Sequence, residues 1–173
     1  TTPQKDPERR DFTVNSIFYN ILTEKIEDFT GHGVEDIKAG ILRAPQNSKK
    51  MFLDDPLRIL RMVRFGAKLG FVLDPELVSA AKDPEVQDAL RKKVSRERIQ
   101  DEVRKMLIGP DPVKAMRLLD ELGIVHDVFQ LPEGYENFHM DQNSPHHDYD
   151  VWGHTMEVLS NIQEIIKNRN LND

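Results

Sequence analysis

The sequence predicts a mainly α-helical protein with a small α/β portion at its N-terminus. Three observations carry that expectation. Asp-Pro recurs at Asp55-Pro56, Asp74-Pro75, Asp83-Pro84 and Asp111-Pro112; aspartate is a favoured N-cap, and proline, with no amide hydrogen to leave unpaired, fits the first helical turn. Apolar residues after these marks return every three or four positions, the period of a helix with one buried face. The first 45 residues break that pattern, with short β-favouring pieces at residues 26–29 and 41–43 around a loop punctuated by Gly31, Gly33 and Gly40. The expected organisation is residues 1–45 for the α/β portion, 46–130 for a helical body, 131–152 for a connector, and 153–173 for the start of a C-terminal helical domain.

Taken in order, "FTVNSIFYNIL" has a helix-like apolar pattern, and "KIEDFTGHGVEDIKAGILRAP" supplies the β-favouring pieces. The helix opened by Asp55-Pro56 places Ile59, Leu60, Val63 and Ala67 on one side, with Arg58, Arg61 and Arg64 nearly opposite. Ser95 can cap a further helix, with Ile99, Val103, Met106 and Leu107 apolar, until Gly109-Pro110 ends it. Val113, Met116, Leu119 and Leu122 form the next stripe, closed by Gly123. The 131–152 stretch is rich in Pro, Gly, Asn, His and Asp. A last amphipathic helix begins near Trp152 or His154, carries Val158, Leu159, Ile162, Ile165 and Ile166, and is expected to have nothing to pack on.

Composition sets bounds. No apolar run approaches the roughly 20 residues of a membrane span, and no signal-like segment opens the chain; a soluble, cytoplasmic protein is expected. The absence of cysteine excludes a disulfide framework, a thiolate zinc site and sulfur redox chemistry. The formal net charge of −6 hides a gradient. Residues 49–68 and 91–105 are each net +4, whereas residues from 130 onward are net −6. Polyanion binding therefore belongs to the middle of the chain, unless these runs are solvated helix faces.

One stretch concentrates the chemistry. In "DDPLRILRMVRF", Asp55 precedes Arg58, Arg61 and Arg64 at intervals of three. Cytosine and the pairing edge of adenine each present an amino donor beside a ring-nitrogen acceptor. An aspartate can accept from the amino group while an arginine donates to the ring nitrogen; uracil and guanine present the reverse pattern and leave both protein groups facing like partners. Arg61 and Arg64 can approach a triphosphate, whose geometry the guanidinium fork matches. The competing reading is that Asp55 is an N-cap and the arginines are solvated. Near the N-terminus, "RRDFTVNS" sets Arg9, Arg10 and Asp11 together: paired arginines suit a triphosphate and the aspartate a ribose hydroxyl, though a surface ion cluster fits as well.

In order and spacing, "RRDFTVN", "IEDFTGHGVEDIKAGILRAP", "FLDDPLRILRMVRFGAKLGF" and "VSRERIQDEVRKML" resemble the class II tRNA nucleotidyltransferase and bacterial poly(A) polymerase family over residues 8–130. "DDPLR" looks most like its CCA-adding enzymes. The resemblance implies a head remnant followed by a neck and body, transfer of C and A from CTP and ATP to a tRNA 3′ end, and Mg2+. Arg10 and Asp11 resemble the sugar and phosphate contacts of motif B, Asp55 and Arg58 the base-reading pair of motif D, and Arg61 and Arg64 further nucleotide-binding arginines. Residues 95–102 resemble motif E, which braces that helix, and Arg98 and Glu102 can pair at i,i+4. Asp28, Gly31, Gly33 and Asp36 match motif C, where geometry rather than ligand contact is expected.

Two departures stand out: Asp54 replaces the family's usual glutamate, and the Gly-rich, metal-holding carboxylate segment that normally precedes "RRDFT" is absent. No catalytic residue is therefore assigned, and the chain as given is expected to be inactive alone. A poly(A) polymerase, an A-adding or CC-adding enzyme, and a non-catalytic RNA-binding helical module are the alternatives. "PHHDYDVWGHT" places His146, His147, Asp148, Asp150 and His154 close together; it reads as a metal site or as solvated histidines. It also resembles the start of an HD domain, in which His154 would be a lone first ligand with no complete site.

Overall fold

The computed structural model describes residues 10–130 and 150–169. A 3-10 turn, Thr13–Asn15, leads into a hairpin of β1 (Ile17–Asn20) and β2 (Lys25–Asp28), antiparallel with Ile17 opposite Asp28. The helix expected from "FTVNSIFYNIL" does not form. Local polar bonds take its place: the Ser16 hydroxyl donates to the Phe12 carbonyl at 3.0 Å, and Asn20 Oδ1 accepts from the Leu22 and Thr23 amides at 2.9 and 3.2 Å. The aromatic and β-branched residues Ile17, Phe18 and Tyr19 suit the pleated strand that results. Helix α1 (Gly33–Ala39) ends at Gly40, whose φ of +66° favours glycine.

After β3 (Ile41–Leu42) comes α2 (Ser48–Asp54), which Asn47 caps by accepting from the Lys50 amide. Next come α3 (Arg58–Leu69), β4 (Val72–Leu73), parallel to β3, and α4 (Pro75–Ala81), α5 (Pro84–Lys93), α6 (Arg96–Leu107), α7 (Pro112–Glu121) and α8 (Val125–Phe129). Three Asp-Pro marks work as expected: the carboxylates of Asp74, Asp83 and Asp111 accept from the amides of Glu76, Glu85 and Lys114, each at 2.9 Å. Asp55 is the exception. It is the extended C-cap of α2 (φ −144°, ψ 95°), and its carbonyl, rather than its side chain, accepts from the Arg58 amide at 3.0 Å.

Helix α3 is the axis of the body. Ile59, Leu60, Met62 and Val63 are fully buried, and α3 packs on α6, α7, α2 and the short parallel pair. A Cβ on Gly66 would stand 2.8 Å from Leu73 Cδ2, so glycine lets that leucine side chain lie close against α3. Helix α9 (Val151–Asn168), capped by Asp150, packs on α7 and buries Trp152. That corrects the expectation that the last helix has nothing to pack on; the partner is earlier in the chain. Among the described residues no helix is long and apolar enough to cross a membrane.

Candidate functional site

An open cleft of about 600 Å³ lies where the 3-10 turn meets the start of α3, lined by Arg10, Asp11, Asn15, Asp55, Arg58, Arg61 and Phe65. Its polar wall comes from two segments 40 residues apart in sequence, Arg10 to Asn15 and Asp55 to Phe65, and each is fixed by separate bonding. The turn is anchored through Thr13: its amide donates to the Arg43 carbonyl at 2.9 Å, and its hydroxyl donates to the buried Asp36 carboxylate at 2.8 Å. Arg43 Nε lies 3.2 Å from the same carboxylate. A Cβ on Gly33 would fall 2.8 Å from the Thr13 carbonyl, so glycine lets α1 press against the turn.

Asp28 closes the loop ahead of α1. Burial alone would raise its carboxyl, but the Thr30 hydroxyl and the Val34, Thr30 and Gly31 amides outweigh burial and hold it below its ordinary value. Asp28, Gly31, Gly33 and Asp36 thus carry the backbone that presents Asp11 and Asn15.

Within the cleft, buried Asp11 accepts from Arg61 Nε at 2.6 Å and, through its other oxygen, from Asn15 Nδ2 at 3.0 Å. Arg10 donates to the Asn15 carbonyl at 3.1 Å, and its guanidinium lies 5.1 Å from the Phe18 ring centroid. Arg58 Nη1 donates to the Met51 carbonyl at 3.3 Å. Asp55 offers its carboxylate to Arg98 on α6, with Nη2 3.3 Å from both oxygens.

Five of the six residues singled out in sequence, Arg10, Asp11, Asp55, Arg58 and Arg61, therefore share this cleft. Arg64 does not. It lines a separate depression of about 410 Å³ with Lys68, Lys105 and Met106. There its Nε donates to the buried Glu102 carboxylate at 2.6 Å, and its guanidinium lies 4.3 Å from the Phe65 ring centroid.

The i,i+4 pairing of Arg98 with Glu102 gives way to other partners: Arg98 reaches Asp55 in the link ahead of α3, and Glu102 takes Arg64 of α3 and, within its own helix, Lys105. Cross-helix partners win because α6 lies directly along α3. Lys105 is raised above its ordinary value by Asp101 and then Glu102, and Asp101 is lowered by Lys105. Ser95 is the N-cap residue of α6, but its hydroxyl faces Glu97 rather than a backbone amide; Glu97's own amide and that hydroxyl lower the Glu97 carboxyl.

Sequence reasoning did not single out Asn15 or Phe65. Both had a signal: Phe65 follows Arg61 by four and so shares its helix side, and Asn15 stands four after Asp11 in a quoted motif. His154 sits in the first turn of α9, and among the described residues no three His, Asp or Glu side chains converge as a metal site. His146, His147 and Asp148 lie outside the described residues.

Two family models match the chain: the "Poly A polymerase head domain" over residues 1–43 and the "Probable RNA and SrmB- binding site of polymerase A" over residues 70–135. The mitochondrial CCA tRNA nucleotidyltransferase of Saccharomyces cerevisiae is 44% identical over 128 residues, 74% of this chain and 23% of that protein. The Bacillus stearothermophilus CCA-adding enzyme, solved in complex with CTP, superposes with a TM-score of 0.65 at 36% identity, covering 71% of this chain and 30% of that one. The Thermotoga maritima enzyme, complexed with tRNA, superposes at 0.64 with 27% identity over 79% of this chain and 32% of that one. The chain thus spans between a fifth and a third of the length of these relatives. It belongs to the class II CCA-adding and poly(A) polymerase family, of which it carries part of the head domain and the RNA-binding body.

Proposed function

We propose that the cleft binds CTP and ATP, and that the whole protein uses them to add C and A to the 3′ end of tRNA. The observation that carries this reading is the convergence of Asp55, Arg58, Arg61, Asp11 and Arg10 on one open cleft. Asp55 accepts from the exocyclic amino group of cytosine or adenine. A carboxylate has about four acceptor positions, so it can do this while Arg98 remains bound. Arg58 carries five N–H donors and reaches the ring nitrogen beside that amino group. Uracil and guanine would set a carbonyl against Asp55 and a ring N–H against Arg58.

Arg61, held by Asp11 along one edge, and Arg10 at the mouth face the phosphates. Asp11 doubles as anchor for Arg61 and as acceptor for a ribose hydroxyl. Arg64 acts at one remove by tying α3 to α6. The two bacterial enzymes were solved in complex with CTP and with tRNA, and the net-positive stretch at residues 91–105 suits an RNA backbone.

Magnesium, which the reaction class implies, finds no fitting donor set in this cleft: Asp11 and Asp55 are each engaged by an arginine. In this proposal the metal belongs to other carboxylates. The lack of cysteine suits the cytoplasm expected from the sequence, and equally the mitochondrion named for the yeast relative.

Equilibrium binding of CTP, ATP, UTP and GTP tests the reading. CTP and ATP bind more tightly than UTP and GTP, and Asp55→Ala removes the difference; four equal affinities in the unaltered chain would overturn it. ATP binding without CTP binding would point to the poly(A) polymerase or A-adding alternatives.

A further inference from the structure

We infer that Arg98 is a positioning residue for base selection, setting the orientation of Asp55 from a helix that itself lies outside the cleft. The inference rests on the nucleotide reading above and goes beyond it. The two members of the base-reading pair are supported differently. Arg58 belongs to the first turn of α3 and is tied at its guanidinium to the Met51 carbonyl. Asp55 has no such support: it sits in the extended link between α2 and α3, where no helical backbone fixes its side-chain direction. The polar contact the structure gives its carboxylate is Arg98 Nη2, 3.3 Å from Oδ1 and 3.3 Å from Oδ2.

A donor equidistant from both oxygens lies near the bisector of the carboxylate. It therefore turns the oxygen edge of the group toward α6, fixing the direction in which the carboxylate points, and leaves the outer lone pairs free to accept. Arg98 also has a fixed base, because α6 is bolted to α3 by the buried Glu102–Arg64 pair. Selection by hydrogen-bond pattern tolerates little rotation of the acceptor: a carboxylate free to swing accepts from the amino group of cytosine less well and avoids the carbonyl of uracil more easily. Arg98 thus sharpens discrimination without touching the nucleotide.

The test compares CTP and UTP affinities for the unaltered chain, Arg98→Ala and Arg98→Lys, each shown to be folded by circular dichroism and an unchanged melting transition. Expected are a CTP-to-UTP preference reduced about threefold in Arg98→Ala, less than on loss of Asp55 itself, partial recovery in Arg98→Lys, which returns the charge without the planar fork, and a UTP affinity that does not fall. Equal weakening of both nucleotides would reduce Arg98 to a source of positive field, and an unchanged ratio would make its contact with Asp55 idle; either result overturns the inference while the nucleotide reading stands. Absence of CTP preference in the unaltered chain overturns both.

Discussion

Arg61 and Arg64 stand one turn apart on α3, and each places Nε 2.6 Å from a carboxylate, yet the two ion pairs do different work. Arg61 keeps 38% of its side chain exposed and borders the open cleft; Arg64 keeps 16%, and its partner Glu102 only 5%. The Arg61 pair joins the head portion to the body and leaves donors facing the cleft. The Arg64 pair joins two body helices and seals their contact. Spacing along a helix decides which residues share a side, but the element packed opposite decides whether they bind a ligand or a neighbour.

The largest expected effect lies at the sealed end. Glu102→Ala strands Arg64 against α6 and costs about 3 kcal/mol in unfolding free energy, as for other broken buried pairs. Urea denaturation measures it. At the cleft end, Arg61→Ala leaves buried Asp11 with Asn15 alone, costs about 2 kcal/mol, and weakens CTP, ATP, UTP and GTP alike in titration calorimetry. A base-dependent loss there would break the division of labour between Arg61 and Asp55.

Asp55→Ala is the converse case. Its ion pair with Arg98 is half exposed, so stability moves by less than about 1 kcal/mol. Selectivity for CTP over UTP nevertheless falls about tenfold, equivalent to about 1.4 kcal/mol, in competition binding.

The smallest effect concerns pH. The folded Asp28 carboxyl lies below its ordinary 3.8. Its stabilising contribution is complete above the unfolded value and is lost as pH falls through the folded one. Asp28→Asn therefore flattens the acid limb of the stability profile, read from urea midpoints at about pH 5 and about pH 3, and leaves selectivity untouched.

The helical body was legible wherever one local signal dominated. Asp74, Asp83 and Asp111 each cap the helix that their prolines open, and Gly40 and Gly123 end helices with φ near +70°. The same signal misled at Asp55, because α2, capped by Asn47, runs up to Asp54 and leaves Asp55 to end one helix rather than begin the next. The second strand of the hairpin was expected at residues 26–29, but the first was missed because apolar residues at 17–19 and 21–22 satisfy a helical period as well as a strand, and the choice falls to the polar side chains of Ser16 and Asn20.

The candidate site followed a similar rule. Arg10, Asp11, Asp55, Arg58 and Arg61 were readable as residue types suited to one ligand. Which carboxylate each arginine takes was not: Asp11 lies 50 residues from Arg61, and Asp55 lies 43 from Arg98. Only the packing of α6 on α3 and the anchoring of the turn by Thr13 bring them together.

The most direct test of base selection removes one amino group. Binding of CTP is compared with that of the pyrimidin-2-one ribonucleoside triphosphate, which keeps the ring nitrogen and carbonyl but lacks the exocyclic amine that Asp55 would hold. The unaltered chain should bind the analogue at least about tenfold more weakly than CTP, and Asp55→Ala should bind the two equally. Equal affinities in the unaltered chain would contradict the account.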